Sequence, residues 1–506
     1  MGELYAALSR CINPSFAALA KATHSQLLKL GNFSNLHLAT RMLAAYSKCG
    51  ISEDACELFD EITTTLSSLD IVSWNAIISG CVKNGRDEVA FQYFKRLQSD
   101  YRRLGADSYT LSSLLSSTHC LEKAITSGEQ LHGYALKTGI LSSVSVGNAL
   151  ITFYAAWYRL PDARMVFESM PLRDVVSWTA LISGYARRCG HEEESLRLFV
   201  LMMSGQEGPR PNQFTFASVF GACGGLACLS QGDALISTVL KMGLLSDVHV
   251  QNSLIGFYSE CGCLDVARDV FDAIIEPDII SWNSLLKGYS NQGRGEEALR
   301  ILDEMIEVGA MPNSVTFISV LSACSHSGMT SQGLELFRRM EQDHGINPGT
   351  EHVSCIVNLL GRAGRLHQAV EFIRGFAFEL GPSTWRTLLG ACWVHGNAEE
   401  LAEWAAAQLL RIEPRDAEAH VVLSNIYASS GRWDMVRNLR RSMKEKGVEK
   451  EPGSSWIEVG NMVHSFMSSD SVHPQMDEIE MRLMELTNNI KDQMHYGNSF
   501  LLFMEL

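Results

Sequence analysis

Ser73-Trp74-Asn75-Ala76, Ser177-Trp178-Thr179-Ala180, Ser281-Trp282-Asn283-Ser284 and Thr384-Trp385-Arg386-Thr387 are four versions of one phrase. Their tryptophans lie 104, 104 and 103 residues apart. A fixed period marks a tandem array, and it decides the fold before any local propensity is weighed. The period is composite, dividing into units of roughly 31 to 38 residues, the size of a two-helix solenoid module.

The stretch around Trp74 shows what a unit contains. A first helix is expected from about Ser73 to Lys83, with Trp74, Ile77, Ile78 and Val82 on one apolar stripe. Asn84-Gly85 breaks it, and a second helix from about Asp87 turns Val89, Ala90, Tyr93, Phe94 and Leu97 inward. That is helical periodicity, not strand alternation. Helices of a dozen residues are marginal alone in water, so neighbouring units must supply the missing burial.

A second unit type reads Phe214-Thr215-Phe216 … Ala222-Cys223 … Gln231-Gly232, and returns as Val315-Thr316-Phe317 … Ala323-Cys324 … Gln332-Gly333. A third, shorter type carries Gly147-Asn148-Ala149-Leu150-Ile151 and Gln251-Asn252-Ser253-Leu254-Ile255. The units parse as 1–35, 36–70, 71–107, 108–143, 144–174, 175–212, 213–247, 248–278, 279–313, 314–349 and 350–381. Two further helix pairs follow, 382–415 and 416–451. The chain is thus read as all-α, a right-handed superhelical solenoid of helix-turn-helix repeats.

Composition agrees with a long packed array. Of 506 residues, 46% are hydrophobic and only 20% charged, so many helix faces must be covered. No apolar run reaches transmembrane length. The 13 cysteines have no paired spacing and read as reduced, buried thiols. A net charge of −15 argues against non-specific polyanion binding, though not against a groove of locally different charge. The first 30 residues hold Arg10, Lys21 and Lys29 against Glu3, which suits a transit peptide as well as a repeat unit.

Catalytic motifs are lacking. Zinc deaminases need His-x-Glu with Pro-Cys-x-x-Cys. His191-Glu192-Glu193 matches the first half by letter, but the sequence holds no Cys-x-x-Cys. Cys261-Gly262-Cys263 and the Cys223/Cys228 pair lack the spacing of a four-ligand zinc site. No phosphate loop or nucleophile elbow appears. The expectation is a protein without catalytic residues, metal, cofactor or small-molecule substrate, and without a membrane partner.

The alternating unit types, with their Ser-Trp-Asn, Thr-Phe-x-Ser-Val and Gly-Asn-Ala-Leu-Ile phrases, resemble the plant pentatricopeptide repeat (PPR) proteins of the PLS class. Leu389-Gly390-Ala391-Cys392, His395-Gly396-Asn397 and Leu423-Ser424-Asn425-Ile426-Tyr427 resemble that family's E motif. Glu451-Pro452-Gly453-Ser454-Ser455-Trp456 and His473-Pro474-Gln475 resemble the start of its DYW domain, whose zinc-binding half is missing here. The resemblance implies a repeat array over 1–381, an E region over 382–451 and a truncated E+ extension over 452–506.

It further implies one RNA base per repeat. Each unit would read with its fifth residue and its last. The pairs carried over are Thr40/Asp70 for G, Asn75/Asp107 for U, Asn148/Asp174 for U, Thr179/Asn212 for A, Asn252/Asp278 for U and Asn283/Asn313 for C or U. Carboxylates complement the ring N–H of uracil or guanine, and an amide can donate to cytosine or adenine. Val72, Val176 and Ile280 would sandwich the bases. Helix capping is the competing explanation for Asp70, Asp174 and Asp278. By resemblance the chain is a site-recognition factor for C-to-U editing of single-stranded organellar RNA, mitochondrial or alternatively of the chloroplast. It would recruit a DYW-type deaminase in trans, with multiple organellar RNA editing factors as partners. A protein-binding helical scaffold, or a splicing or transcript-stabilising role, is the alternative. Past His473 the residues Ile479, Leu483, Leu486, Ile490 and Met494 predict an amphipathic helix.

Overall fold

Asp and Asn just before the apolar runs punctuate this chain into helix pairs. The computed structural model describes residues 2–11, 13–29, 35–65, 69–100, 104–117, 124–205, 208–376, 379–396, 398–448, 454–459, 462–467, 475, 476 and 478–486. The first helices of the pairs are α1 (Gly2–Arg10), α3 (Leu36–Lys48), α5 (Ile71–Lys83), α7 (Ser108–Ser117), α9 (Val144–Ala156), α11 (Val175–Ala186), α13 (Gln213–Gly225), α15 (Val248–Glu260), α17 (Ile279–Asn291), α19 (Ser314–His326), α21 (Thr350–Arg362), α23 (Pro382–His395) and α25 (Ala417–Ser429). The second helices are α2 (Ala17–Lys29), α4 (Ser52–Thr65), α6 (Asp87–Asp100), α8 (Ala124–Thr138), α10 (Leu160–Ser169), α12 (Glu192–Ser204), α14 (Leu229–Lys241), α16 (Leu264–Asp272), α18 (Gly295–Glu307), α20 (Thr330–Gln342), α22 (Leu366–Arg374), α24 (Glu399–Ile412) and α26 (Trp433–Glu445). From α3 to α23 every first helix begins on the residue at which the sequence starts its unit.

The chain forms two compact units, 1–225 with 236–254, and 226–235 with 255–506. Within the first, α3, α5, α7, α9, α11 and α13 pack side by side in one layer, and the second helices lie behind them. Within the second, α17, α19, α21, α23 and α25 do the same. Trp74, Trp282 and Trp385 are buried at the starts of their helices. Each meets an aromatic ring edge-on: Phe59 for Trp74, Phe271 for Trp282 and Trp404 for Trp385, with centroids 4.6–4.9 Å apart.

Small residues set the spacing of the first-helix layer. A Cβ on Gly80 would fall 2.0 Å from Ser47 Oγ and 2.8 Å from Ser47 Cβ on the preceding first helix. Gly184 meets Ala155 Cβ at 2.7 Å, and Gly288 meets Ser259 Cβ at 2.6 Å. In the variant units the second helix accepts a ring instead. Gly128 and Gly232 leave room for Phe153 and Phe257, whose ring atoms would lie 2.0 and 2.1 Å from an added Cβ.

The turn between paired helices takes a left-handed residue, which glycine fills at 50, 85, 262, 293, 328 and 364. Tyr158 and Ala227 hold the same place with φ of 58° and 52°. Beyond α26 a two-stranded antiparallel hairpin, β1 (Ser454–Val459) and β2 (Met462–Met467), departs from helix. Helix resumes at 478–486, where Leu483 and Leu486 are exposed and Ile479 half-buried. Ile490 and Met494, the end of the expected amphipathic stripe, lie outside the described residues. Among those described, no helix is long and apolar enough to cross a membrane.

The Gly80 contact yields a test. Gly80→Ala is expected to destabilise the array by about 1–3 kcal/mol, the usual cost of overpacking, although alanine is the better helix former. Adding Ser47→Gly removes both clashing atoms, so thermal melts of the double variant should recover part of the loss.

Candidate nucleic-acid interface

The residue closing each unit begins the next helix. Asp70, Asp174, Asp278 and Asn313 are N-caps in extended backbone, and each side chain accepts the N–H three residues on, at 2.8–3.0 Å. Asp107 and Asn212 accept from Thr110 N and Thr215 N at 2.9 and 3.0 Å. Capping is therefore part of what these side chains do.

The same residues also meet their predicted partners. Asn75 Nδ2 donates to Asp107 Oδ2 at 2.9 Å. Asn148 Nδ2 donates to Asp174 Oδ1 at 3.1 Å, and Asn283 Nδ2 to Asn313 Oδ1 at 3.3 Å. In the two threonine units the link runs through a hydroxyl. Thr40 Oγ1 lies 2.7 Å from Ser73 Oγ, which donates to Asp70 at 2.6 Å. Thr179 Oγ1 lies 2.7 Å from Thr215 Oγ1, which donates to Asn212 at 3.0 Å. Asn252 is buried on α15 in the first compact unit, and Asp278 is exposed on the cap of α17 in the second.

Sequence reasoning missed the hydroxyl that organises these junctions. Ser177 Oγ donates 2.6 Å to Asn148 Oδ1 and lies 3.0 Å from Asp174 Oδ1; Thr316 Oγ1 holds the same places between Asn283, at 2.7 Å, and Asn313, at 3.0 Å. Thr110 bridges Asn75 and Asp107 in the same manner. Ser73, Thr110, Ser177, Thr215, Ser281 and Thr316 are all fully buried. The readable signal was the capping-box spacing, Asp or Asn followed three residues later by Ser or Thr. Where Gly349 offers no side chain, His352 substitutes. Its Nδ1 accepts from Gly349 N–H at 3.1 Å, and its Nε2 faces the Ser314 carbonyl at 3.0 Å.

These hydrogen bonds shape the electrostatics. Burial pushes the Asp174 carboxyl up, but the N–H groups of Ser177 and Val176, the Asn148 amide and the Ser177 hydroxyl together hold it below the ordinary aspartate value. Its contribution to stability is complete above the unfolded value near pH 3.9 and is lost as pH falls through the lower folded value.

In six units the second residue is apolar and half exposed: Val72, Val176 and Ile280, which the sequence pointed to, and also Tyr109, Phe214 and Val315. The short units carry Ser145 and His249 at that place. Val72 and Tyr109 flank Thr40 and Asn75 in an open groove of about 520 Å³ whose walls also carry Arg41, Lys48 and Lys83. Charge within the helices differs between the two layers, apart from the cap carboxylates Asp70, Asp107, Asp174 and Asp278 at the starts of first helices. The first helices α3 to α21 carry Arg41, Lys48, Lys83, Lys287 and Arg362 against Glu260 and Glu351. Acid concentrates on second helices, with Glu53, Asp54, Glu57, Asp60 and Glu61 on α4 and Glu296, Glu297, Asp303, Glu304 and Glu307 on α18.

The fifth place is not Asn or Thr in every unit: α7, α13, α19 and α21 carry Ser112, Ala217, Ile318 and Ser354 there. On α23 it is Arg386, which binds Glu413 at 2.8 Å and Asp416 at 2.5 Å, while Asp416 caps α25 through Ala419 N.

The chain matches the PPR repeat over residues 39–64, 72–101, 176–205 and 315–344, the PPR repeat family over 277–326, and the E motif over 395–458. It is 36% identical over 490 residues to pentatricopeptide repeat-containing protein CRR2, chloroplastic, of Arabidopsis thaliana, covering 96% of this chain and 73% of that one. It is 38% identical over 490 residues to a putative mitochondrial member from the same plant, covering 96% and 76%. The chain belongs to the pentatricopeptide repeat family. Another mitochondrial relative, 36% identical over 475 residues, is longer: 90% of this chain covers 51% of it. Among solved structures it is similar to the maize pentatricopeptide repeat protein PPR10, at 20% identity and a TM-score of 0.40 over 82% of this chain and 64% of that one.

Ser177→Ala removes the bridge between Asn148 and Asp174 while leaving the backbone cap donor. The expected cost is about 1–2 kcal/mol for a buried hydroxyl with two partners, measured by chemical unfolding. An equal loss in Thr316→Val, with its different caps, would show that the bridge matters rather than one particular carboxylate.

Proposed function

We propose that this protein is a sequence-specific adaptor for single-stranded organellar RNA. Its fifth-and-last residue pairs each face one base: Thr40/Asp70, Asn75/Asp107, Asn148/Asp174, Thr179/Asn212, Asn252/Asp278 and Asn283/Asn313. The observation that carries this reading is the hydrogen-bonded junction. In the five pairs other than Asn252/Asp278 it restrains the rotamers of both members before any base arrives, which limits the entropy lost on binding. The apolar row at Val72, Tyr109, Val176, Phe214, Ile280 and Val315 supplies faces against which bases stack. In the groove beside Thr40 and Asn75, Arg41, Lys48 and Lys83 supply local positive charge for a phosphate backbone although the chain as a whole carries −15.

The adaptor has no catalytic role of its own in this reading. It selects a cytidine for C-to-U editing in a mitochondrion, or alternatively a chloroplast, and a DYW-type deaminase acts in trans with editing factors of the multiple organellar kind. The E motif match over 395–458 and relatives named mitochondrial and chloroplastic support that assignment.

The units from 36 to 279 read G-U-n-U-A-n-U-C/U in the 5′ to 3′ direction, where n marks the variant units. This oligomer should bind far more tightly than a scrambled one at moderate salt; equal affinity defeats the assignment. Asp278→Asn sharpens the test. Asp278 Oδ1 takes both cap bonds from Ser281, so an amide oxygen can keep the cap while an N–H₂ replaces Oδ2. Selection from a random RNA pool should then shift that position from U toward C, with a mismatch costing on the order of 1 kcal/mol. An unshifted preference would leave capping as this residue's whole role.

Removal of 452–506 separates reading from recruitment. RNA affinity should persist and editing in vivo should cease. Normal editing by the truncated chain would exclude recruitment through this segment.

A further inference from the structure

Cys56 on α4 and Cys81 on α5 face each other across the packing of one unit onto the next. Their sulfurs are 3.9 Å apart, and both are free thiols. A disulfide bond is about 2.05 Å long, so side-chain rotation and a small helix shift must close the rest. We infer that Cys56 and Cys81 form a redox-active pair that a small-molecule disulfide of the oxidised-glutathione class closes to an intramolecular disulfide, stapling the unit at 36–70 to the unit at 71–107.

The two thiols differ in the way such a pair requires. Cys81 is 1% exposed, whereas Cys56 is half-buried and open to an attacking reagent. The neighbouring Cys81 sulfur favours the Cys56 thiolate against the opposing effects of burial and of the Asp60 charge; the Tyr93 hydroxyl and the Arg86 guanidinium act in the same sense as Cys81. Cys81 is correspondingly held protonated by its bond to Cys56 and by burial. Low thiolate affinity for the proton together with access is what selects a reactive cysteine. The buried pair Cys11 and Cys49 makes the contrast: both are almost wholly covered, and Cys49 is raised by burial.

The exchange balances without further reagents. The Cys56 thiolate attacks one sulfur of the external disulfide, forming a mixed disulfide and expelling one small thiolate. That thiolate takes up the proton that Cys81 loses. Cys81 then attacks Cys56 Sγ, breaking the mixed disulfide and expelling the second small thiolate, which is protonated from solvent. Two protein thiols and one small disulfide become one protein disulfide and two small thiols. The bridge would restrain α5, the helix that carries Trp74 and Asn75, against the helix behind it.

The test uses the full chain without RNA, in glutathione buffers from fully reduced to fully oxidised. Free thiols titrated with a chromogenic reagent should fall by two, and mass spectrometry of a non-reducing digest should recover a Cys56–Cys81 cross-linked peptide. The oxidised form should melt several degrees higher, and dithiothreitol should reverse the shift. Cys56→Ser should abolish both the thiol loss and the shift. Cys81→Ser should instead trap glutathione on Cys56 as a stable adduct. A wild-type chain that keeps all its thiols, accumulates the Cys56 adduct without cross-linking, or cross-links elsewhere while Cys56→Ser behaves alike overturns the inference.

Discussion

The junction between units is the constraint on which the rest of this molecule depends. At six of the junctions an Asp or Asn ends a unit and caps the next first helix; at 107, 174 and 313 it also binds the fifth residue of the unit directly, and at 70 and 212 through a hydroxyl. The Asn75, Asp107 and Thr110 set shows the division of labour: Asp107 Oδ1 serves the Thr110 backbone and hydroxyl, while Oδ2 accepts the Asn75 amide. A buried hydroxyl with partners on both sides is costly to leave unsatisfied, so the register between neighbouring helices is tied to the same atoms that would meet a base. Asp107 divides the two tasks between its oxygens, whereas Asp174 Oδ1 and Asn313 Oδ1 each take the cap bond and the amide of the fifth residue together. At Gly349 and Gly381 the shared side chain is absent, and at Arg386 an ion pair with Asp416 joins the helices instead.

Close approach within the first-helix layer follows from the residues that lack side chains. Gly80 against Ser47, Gly184 against Ala155 and Gly288 against Ser259 bring adjacent first helices together at one level of each pair. Ion pairs join the second helices across units, as Arg268 joins Glu304 at 2.8 Å and Arg96 joins Asp60 at 2.6 Å. These are partly exposed and individually weak. Beneath those ion pairs the second helices bury apolar side chains of their own, such as Leu97 and Met305, and Phe59 packs on Trp74, so the stability of the stack rests on packing in both layers rather than on the surface charges.

Unit boundaries were legible because the signals are local: the Asp-x-x-Ser phrase, the tryptophan after it and the Asn-Gly break each act within a few residues. The hydroxyl bridge was not, since Ser177 meets Asn148 only once two helices 29 residues apart are side by side. Tyr158 and Ala227 look in sequence like units without the turn glycine. The fold instead imposes the left-handed turn on them, and Tyr158 sits under the Arg188 guanidinium 5.0 Å away. The hairpin at 454–467 was passed over because its resemblance to a longer domain drew attention to missing metal ligands. The β-branched and aromatic residues Trp456, Ile457 and Val459, following Pro452-Gly453, are the strand signal in that stretch.

Net charge was the one global property that opposed an RNA-facing reading, and its placement reduces its weight in the groove beside Asn75. Carboxylates at the first turn of second helices, such as Glu53 and Asp54 on α4 or Glu296 and Glu297 on α18, complement the positive helix end and stabilise those helices. They lie on a different layer from Lys48 and Lys83, which line the groove beside Asn75. At physiological salt the screening length is about 8 Å, so a phosphate in that groove would meet Arg41, Lys48 and Lys83 at close range, while the acids of the second helices act through more screened solvent. The cap carboxylates Asp70 and Asp107 stand at the same junctions as the reading residues, so the basic side chains there offset local acid as well as attract phosphate.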